Sequence, residues 1–216
     1  MIEAKNIEFS YGKKKVLRNI SVEFDKGKMY AILGKSGSGK TTLLSILSGI
    51  EDIQQGQIII EGRLINAKSA VDYRKHIGII FQSYNLINYM NSIQNVIMAL
   101  DIVKYKGNRK KQAIKHLEQL GILKEDMTKP CSQLSGGQQQ RVAIARALAC
   151  DSCIIFADEP TGNLDSVSAN HIIEILQEFA VKRGKCVICV THDESLANKA
   201  NEIIHLKDGK IITNTN

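Results

Sequence analysis

Two glycine-rich segments and two adjacent acids carry the chemistry of this chain. Gly34-Lys35-Ser36-Gly37-Ser38-Gly39-Lys40-Thr41, followed by Thr42, has the glycines that let backbone N–H groups wrap a phosphate. Its Lys40 would neutralise outer phosphates and its Thr41 hydroxyl would ligate Mg²⁺. Far downstream, Cys153-Ile154-Ile155-Phe156-Ala157 ends in Asp158-Glu159. Adjacent carboxylates on an extended segment point differently, so Asp158 can face a metal while Glu159 faces an attacking water. Between them, Leu134-Ser135-Gly136-Gly137-Gln138 is a second glycine turn at a helix start, where backbone N–H groups favour another phosphate contact. A phosphate loop alone says that a nucleotide is held; the second turn suggests two half-sites.

The elements around these residues fit that placement. Ile2 to Phe24 alternates polar and apolar residues about Tyr11-Gly12-Lys13 and predicts antiparallel strands. Met29-Tyr30-Ala31-Ile32-Leu33 is a buried strand running into Gly34, and a helix follows from Lys40 with Leu43, Leu44 and Leu47 on one face and Gly49 to end it. A hairpin spans Gly56 to Ile65, a strand spans Ile77 to Phe81, and a helical stretch runs from about Ile93 to Leu148. Strands return at Cys153 to Ala157 and Cys186 to Val190, separated by a helix with the stripe Ile172, Ile175, Leu176 and Phe179. This alternation predicts an α/β fold with a mostly parallel sheet, an antiparallel β subdomain and a helical subdomain, its motifs all lying at the carboxyl ends of strands. Gln82 and His192 follow two of those strands, within reach of Mg²⁺ and of a γ-phosphate respectively.

Bulk properties bound the alternatives. With 216 residues, two prolines and no low-complexity linker, residues 1–216 are expected to form one domain, with about 90–148 as its helical subdomain. The amino terminus lacks a signal-peptide pattern and no apolar run approaches the roughly 20 residues that span a bilayer, which predicts a cytosolic protein. A net charge of +7, with Lys13-Lys14-Lys15 and Arg109-Lys110-Lys111, invites nucleic acid. The first cluster falls in a turn and few aromatics interleave with the basic residues, so no specific nucleic-acid partner is expected; attraction to an anionic membrane explains the charge equally well. Cys150-x-x-Cys153 and Cys186-x-x-Cys189 superficially spell a zinc site. Residues three apart on a strand face opposite ways, so no structural zinc is expected.

Phosphate loop, Gln82, Leu134 to Gln138, Asp158-Glu159, Asn163-Leu164-Asp165 and His192, in that order, closely resemble the nucleotide-binding subunits of ATP-binding-cassette (ABC) transporters over nearly the whole chain. Leu134-Ser135-Gly136-Gly137-Gln138-Gln139-Gln140-Arg141 and Asp158-Glu159-Pro160-Thr161-Gly162-Asn163-Leu164-Asp165 look most like the macrolide-exporter, lipoprotein-release and antimicrobial-peptide-resistance class. The resemblance implies a P-loop NTPase core using ATP and Mg²⁺. In it Tyr11 stacks on adenine with Val16 beside it, Gly34 to Thr42 bind ATP, and Thr41 and Gln82 ligate Mg²⁺ with Asp158 acting through water. Glu159 is the implied general base and His192 the γ-phosphate switch. Ser135, Gly136, Gly137, Gln138 and Asp165 are implied to act in trans on the ATP of a second ABC subunit, and the helical block to dock an integral membrane permease at the cytoplasmic face of the membrane. Two departures from that class are visible. Pro130 stands one residue further from Leu134, and Ser152 replaces a common proline. The resemblance implies first an ATPase driving export or extraction of a peptide, lipid, lipoprotein or drug, and as the alternative a mechanical regulator coupled to a membrane protein of the cell-division or cell-wall type. A soluble clamp on DNA or ribosomes fits poorly, because no heptad run fills the gap between Gln82 and Leu134.

Overall fold

A computed structural model of the chain describes residues 2–150 and 152–212; Met1, Asp151 and residues 213–216, which the 1–216 domain expectation includes, lie outside the described residues. The anticipated hairpin is β1 (Ile2–Tyr11) against β2 (Lys14–Phe24), turning at Gly12 with φ 57°. One step on β1 from Phe9 to Ser10 corresponds to two on β2 from Leu17 to Lys15, so Val16 is the extra residue of a bulge. β3 (Met29–Leu33) leads to α1 (Lys40–Leu47), and β4 (Gln55–Ile60) and β5 (Arg63–Ile65) complete a four-stranded antiparallel sheet in the order β2-β1-β4-β5.

An unanticipated helix, α2 (Ala67–Tyr73), precedes β6 (Ile77–Ile80). It starts with a capping box in which Asn66 and Ser69 exchange side-chain and backbone hydrogen bonds, a signal readable in the sequence. The helical stretch resolves into α3 (Ser92–Ile102), α4 (Arg109–Gln119), α5 (Lys124–Met127) and α6 (Gly136–Ala149). The left-handed residues Lys104 and Gly121 mark its first two breaks. Pro130 then opens a short 3₁₀ turn and bridges to Asn91 at the start of α3, which ties the entry of α6 to the far end of the block. Beyond it come β7 (Ile154–Asp158), α7 (Ser166–Val181), β8 (Cys186–Thr191), α8 (Glu194–Ala197), β9 (Glu202–Lys207) and β10 (Lys210–Ile212).

The second sheet has the order β10-β9-β3-β8-β7-β6, parallel throughout except for β10. Its middle strands are buried on both faces, which is why they read as unbroken apolar runs. Alternate residues serve two cores. Tyr30, Ile32, Cys186, Ile188 and Val190 pack with Phe24 and Leu44 under the antiparallel sheet and α1. Met29, Ala31, Val187 and Cys189 pack with Leu117, Ile144 and Leu176 under the helices. Cys186 and Cys189 thus face opposite layers, as the strand reading requires. Burial of a side chain of this size stabilises the fold by about 1.5–3 kcal/mol, and the layers hold the carboxyl ends of β3, β7 and β8 side by side.

Candidate functional site

The loop between β3 and α1 is held from behind. A Cβ on Gly34 would lie 2.3 Å from the Leu206 carbonyl oxygen of β9, so the chain passes there only as glycine. Gly39 caps α1 at φ 104° with no side-chain hydrogen bond, leaving first-turn N–H groups for an anion. Lys40 is only 7% exposed; its Nζ donates to the Gly34 and Lys35 carbonyls at 2.8 and 3.3 Å and lies 3.8 Å from Glu159 Oε1.

At the end of β7, Thr41 Oγ1 donates to Asp158 Oδ1 at 3.2 Å. Burial pushes the Asp158 carboxyl above the usual range; the Thr41 hydrogen bond opposes this, the Glu159 charge adds to it, and Lys40 opposes it. The folded chain therefore takes up this proton more readily than the unfolded chain, so the charge costs stability at neutral pH and the cost fades as pH falls through the raised value toward the ordinary carboxylate range. Without nucleotide or metal, Asp158→Asn is expected to melt at a higher temperature than the native chain at neutral pH, with the gap closing on acidification. Thermal unfolding across that range checks the sign.

Glu159 sits at φ 45°, a left-handed conformation that costs a non-glycine residue about 1–2 kcal/mol. Its N–H donates to the Val190 carbonyl at 2.9 Å, and its carboxylate accepts from Thr191 Oγ1 at 3.2 Å and from His192 N at 3.4 Å. His192 Nδ1 lies 2.9 Å from Glu159 Oε1 and donates to it when the proton is on that nitrogen. Gln82 follows β6, its main-chain carbonyl accepting from Asn163 Nδ2 at 3.3 Å.

These groups open on one cleft of about 790 Å³ lined by Val16, Lys35, Ser36, Gly37, Gly39, Lys40, Thr41, Thr42, Gln82, Glu159 and His192. Gly34, Ser38 and Asp158 do not line it. Tyr11 is not on the wall either; it is half exposed, with its ring edge-on to Phe9 at 4.9 Å. Sequence reasoning missed Lys14, Lys15, Arg18, Asp208 and Gly209, which also line the cleft. Asp208-Gly209, both left-handed, form the β9–β10 turn, and such a dipeptide between apolar residues is a hairpin signal. Gly209 N donates to the Ser38 carbonyl at 3.1 Å, and a Cβ on Gly209 would lie 2.1 Å from the Val16 carbonyl oxygen at the bulge.

The second glycine turn stands at a helix start, the N-terminus of α6, and not at the carboxyl end of a strand as the other motifs do; Ser135, Gly136, Gly137, Gln138 and Asp165 do not line this chain's own cleft. Ser135 caps α6, its Oγ accepting from Gln138 N at 3.3 Å while Gln138 Oε1 accepts from Ser135 N at 2.9 Å. Gln138 Nε2 donates to Asp126 Oδ2 at 2.7 Å, which fixes this side chain within its own chain. Asp165 caps α7 through the N–H groups of Val167 and Ser168, whose donation holds its carboxyl below the usual range. Helix α6 joins this turn to the cleft: Gln140 Nε2 donates to the Pro160 carbonyl at 2.7 Å, and Arg146 donates to the carbonyls of Tyr84, at 2.8 Å, and Asn85, just beyond Gln82.

A glycine loop delivered by a parallel strand to a helix N-terminus, with acids ending a strand of the same sheet, defines a phosphate-loop nucleotide hydrolase. The chain belongs to the ABC transporter family, whose profile matches residues 17–162, and is an ATP-binding ATPase cassette. It is 41% identical over 222 residues to the bacitracin export ATP-binding protein BceA of Halalkalibacterium halodurans, covering 99% of this chain and 87% of that protein. It is 42% identical over 224 residues to the macrolide export ATP-binding/permease protein MacB of Mannheimia succiniciproducens, aligning over all of this chain but only 34% of MacB. The dimeric post-hydrolysis structure of the ATP-binding cassette MJ0796 bound to ADP and Pi superimposes with a TM-score of 0.90 at 35% identity, covering 99% of this chain and 97% of that one.

Proposed function

We propose that the chain is the ATP-hydrolysing subunit of an exporter-type ABC transporter, acting as one domain at the cytoplasmic face of the membrane on an integral permease. The observation that supports it most is the convergence of Lys40, Thr41, Glu159 and His192 on one cleft, with Asp158 hydrogen-bonded to Thr41 at its edge. Among the described residues no helix is long and apolar enough to cross a membrane, so the permease is a separate polypeptide or segment. Similarity to BceA and to part of MacB supports export as the direction.

In this reading the loop N–H groups and Lys40 seat the triphosphate, with adenine against Val16 and Tyr11. The hydroxyl of Thr41 and the amide oxygen of Gln82, with the carboxylate of Asp158 acting through water, are hard oxygen donors that would hold Mg²⁺, whose positive charge would offset that of the phosphates. Glu159 takes a proton from the water that attacks the γ-phosphorus as the bond from that phosphorus to the β–γ bridging oxygen breaks and ADP leaves, while the His192 ring turns to the γ-phosphate. Ser135, Gly137 and neighbouring N–H groups close over the ATP of a second subunit, with Asp165 in the segment that crosses between them. Because the γ-phosphate touches both halves, its loss removes the preference for the closed pair and the subunits part. Helix α6 carries that motion to the helical block and so to the permease.

Isolating the tagged chain from native membranes tests the assignment. An integral membrane protein is expected to co-purify and to alter the ATPase rate when reconstituted. Recovery of the chain bound only to ribosomes or DNA, with a steep salt dependence, would overturn it.

A further inference from the structure

Four groups from three residues converge on the Glu159 carboxylate, and they are not equivalent. Oε1 lies 2.9 Å from the His192 ring and 3.8 Å from Lys40 Nζ. Oε2 takes the Thr191 hydroxyl at 3.2 Å and the His192 N–H at 3.4 Å. The His192 side chain is 65% exposed and can swing away; Thr191 is fully buried.

The direction of the Thr191 hydrogen bond follows from its neighbour. Asp193 N lies 3.0 Å from Thr191 Oγ1, and an amide can only donate. The hydroxyl oxygen is therefore the acceptor there, and its single proton is left for Glu159. Thr191 also ends β8 in register with Leu33, the last residue of β3, and its carbonyl accepts from Gly34 N at 3.4 Å. One buried residue thus touches both the start of the phosphate loop and the carboxylate opposite it.

We propose that Thr191 is a positioning residue for hydrolysis. Its hydroxyl anchors Glu159 Oε2 when the His192 ring leaves for the γ-phosphate, so that Oε1, freed on the Lys40 side, is the oxygen that accepts the proton of water. The proposal rests on Glu159 being the base. With its backbone in the left-handed region and the ring gone, the carboxylate keeps as hydrogen bonds the Thr191 hydroxyl and the His192 N–H, both on Oε2, with Lys40 Nζ 3.8 Å from Oε1.

Thr191→Val keeps the shape and removes the hydroxyl, and Thr191→Ser keeps the hydroxyl. In ATPase assays of the full chain, Thr191→Val is expected to lower kcat by about tenfold with KM for ATP within about twofold of the native value, and Thr191→Ser to restore most of kcat. In a Glu159→Gln background the Val substitution is expected to cause no further loss, because the carboxylate it serves is gone. A Val variant with native kcat, a Ser variant as slow as Val, or an equal further loss in the Glu159→Gln background would each overturn the role. A Glu159→Gln chain turning over at the native rate would instead overturn the base assignment. Should the Val variant not fold, Thr191→Ala against Thr191→Ser asks the same question.

Discussion

Glu159→Gln is expected to lower kcat for ATP by about a hundredfold or more while leaving ATP affinity near its native value, the range that a lost general base commands. Gln keeps the length, and its amide oxygen in the place of Oε2 can still accept from the Thr191 hydroxyl and the His192 N–H, but its NH2 end cannot take a proton from water. Lys40 keeps its two loop carbonyls, so the phosphate seat survives the change. Nucleotide is then held without being cleaved, and ATP-bound closed pairs accumulate. Steady-state turnover together with size-exclusion chromatography in ATP and Mg²⁺ measures both parts. A variant that turns over like the native chain would place the base elsewhere.

Lys40→Ala is expected to act on binding instead. Lys40 is the only cation the structure buries at the mouth of α1 among the described residues, and its Nζ contacts are all with the loop and Glu159. Removing one partner of a buried charge pair costs about 3 kcal/mol or more, so affinity for ATP should fall by a hundredfold or more. Calorimetric titration with ATP in the presence of Mg²⁺ checks this. Lys40→Arg is not expected to rescue it, since a planar guanidinium cannot reproduce the compact charge that Nζ presents to both the Gly34 and Lys35 carbonyls. Native-like affinity in the Ala variant would mean that the helix N-terminus suffices alone.

The phosphate loop and the strand-end acids were legible because each is local. A strand, a glycine run and a helix follow one another in sequence, and the acids end an apolar run of strand length. The same locality revealed β3 and both strands of the first hairpin. What escaped is what depends on distant partners. Asp208 and Gly209 join the cleft because β9 pairs with β3 and their turn packs on the Val16 bulge, and neither contact is written near residue 208. Helix α2 was missed although its Asn66–Ser69 box was readable, since seven residues give too short a period to stand out. The second glycine turn was recognised, but its place on α6 away from the cleft follows from the packing of the helical block, not from its own residues. Gln138 shows the difference between a motif and a role: it serves α6 and Asp126 in its own chain, while its expected action on a second chain belongs to an assembly.

Turnover per chain, followed as the protein is diluted in saturating ATP and Mg²⁺, with association measured in parallel by ultracentrifugation, tests the composite site most directly. If Ser135 and Gly137 complete the site of a second subunit, the rate per chain falls with the fraction of paired chains and approaches zero when only single chains remain. A rate per chain that holds constant in samples containing only single chains would contradict it.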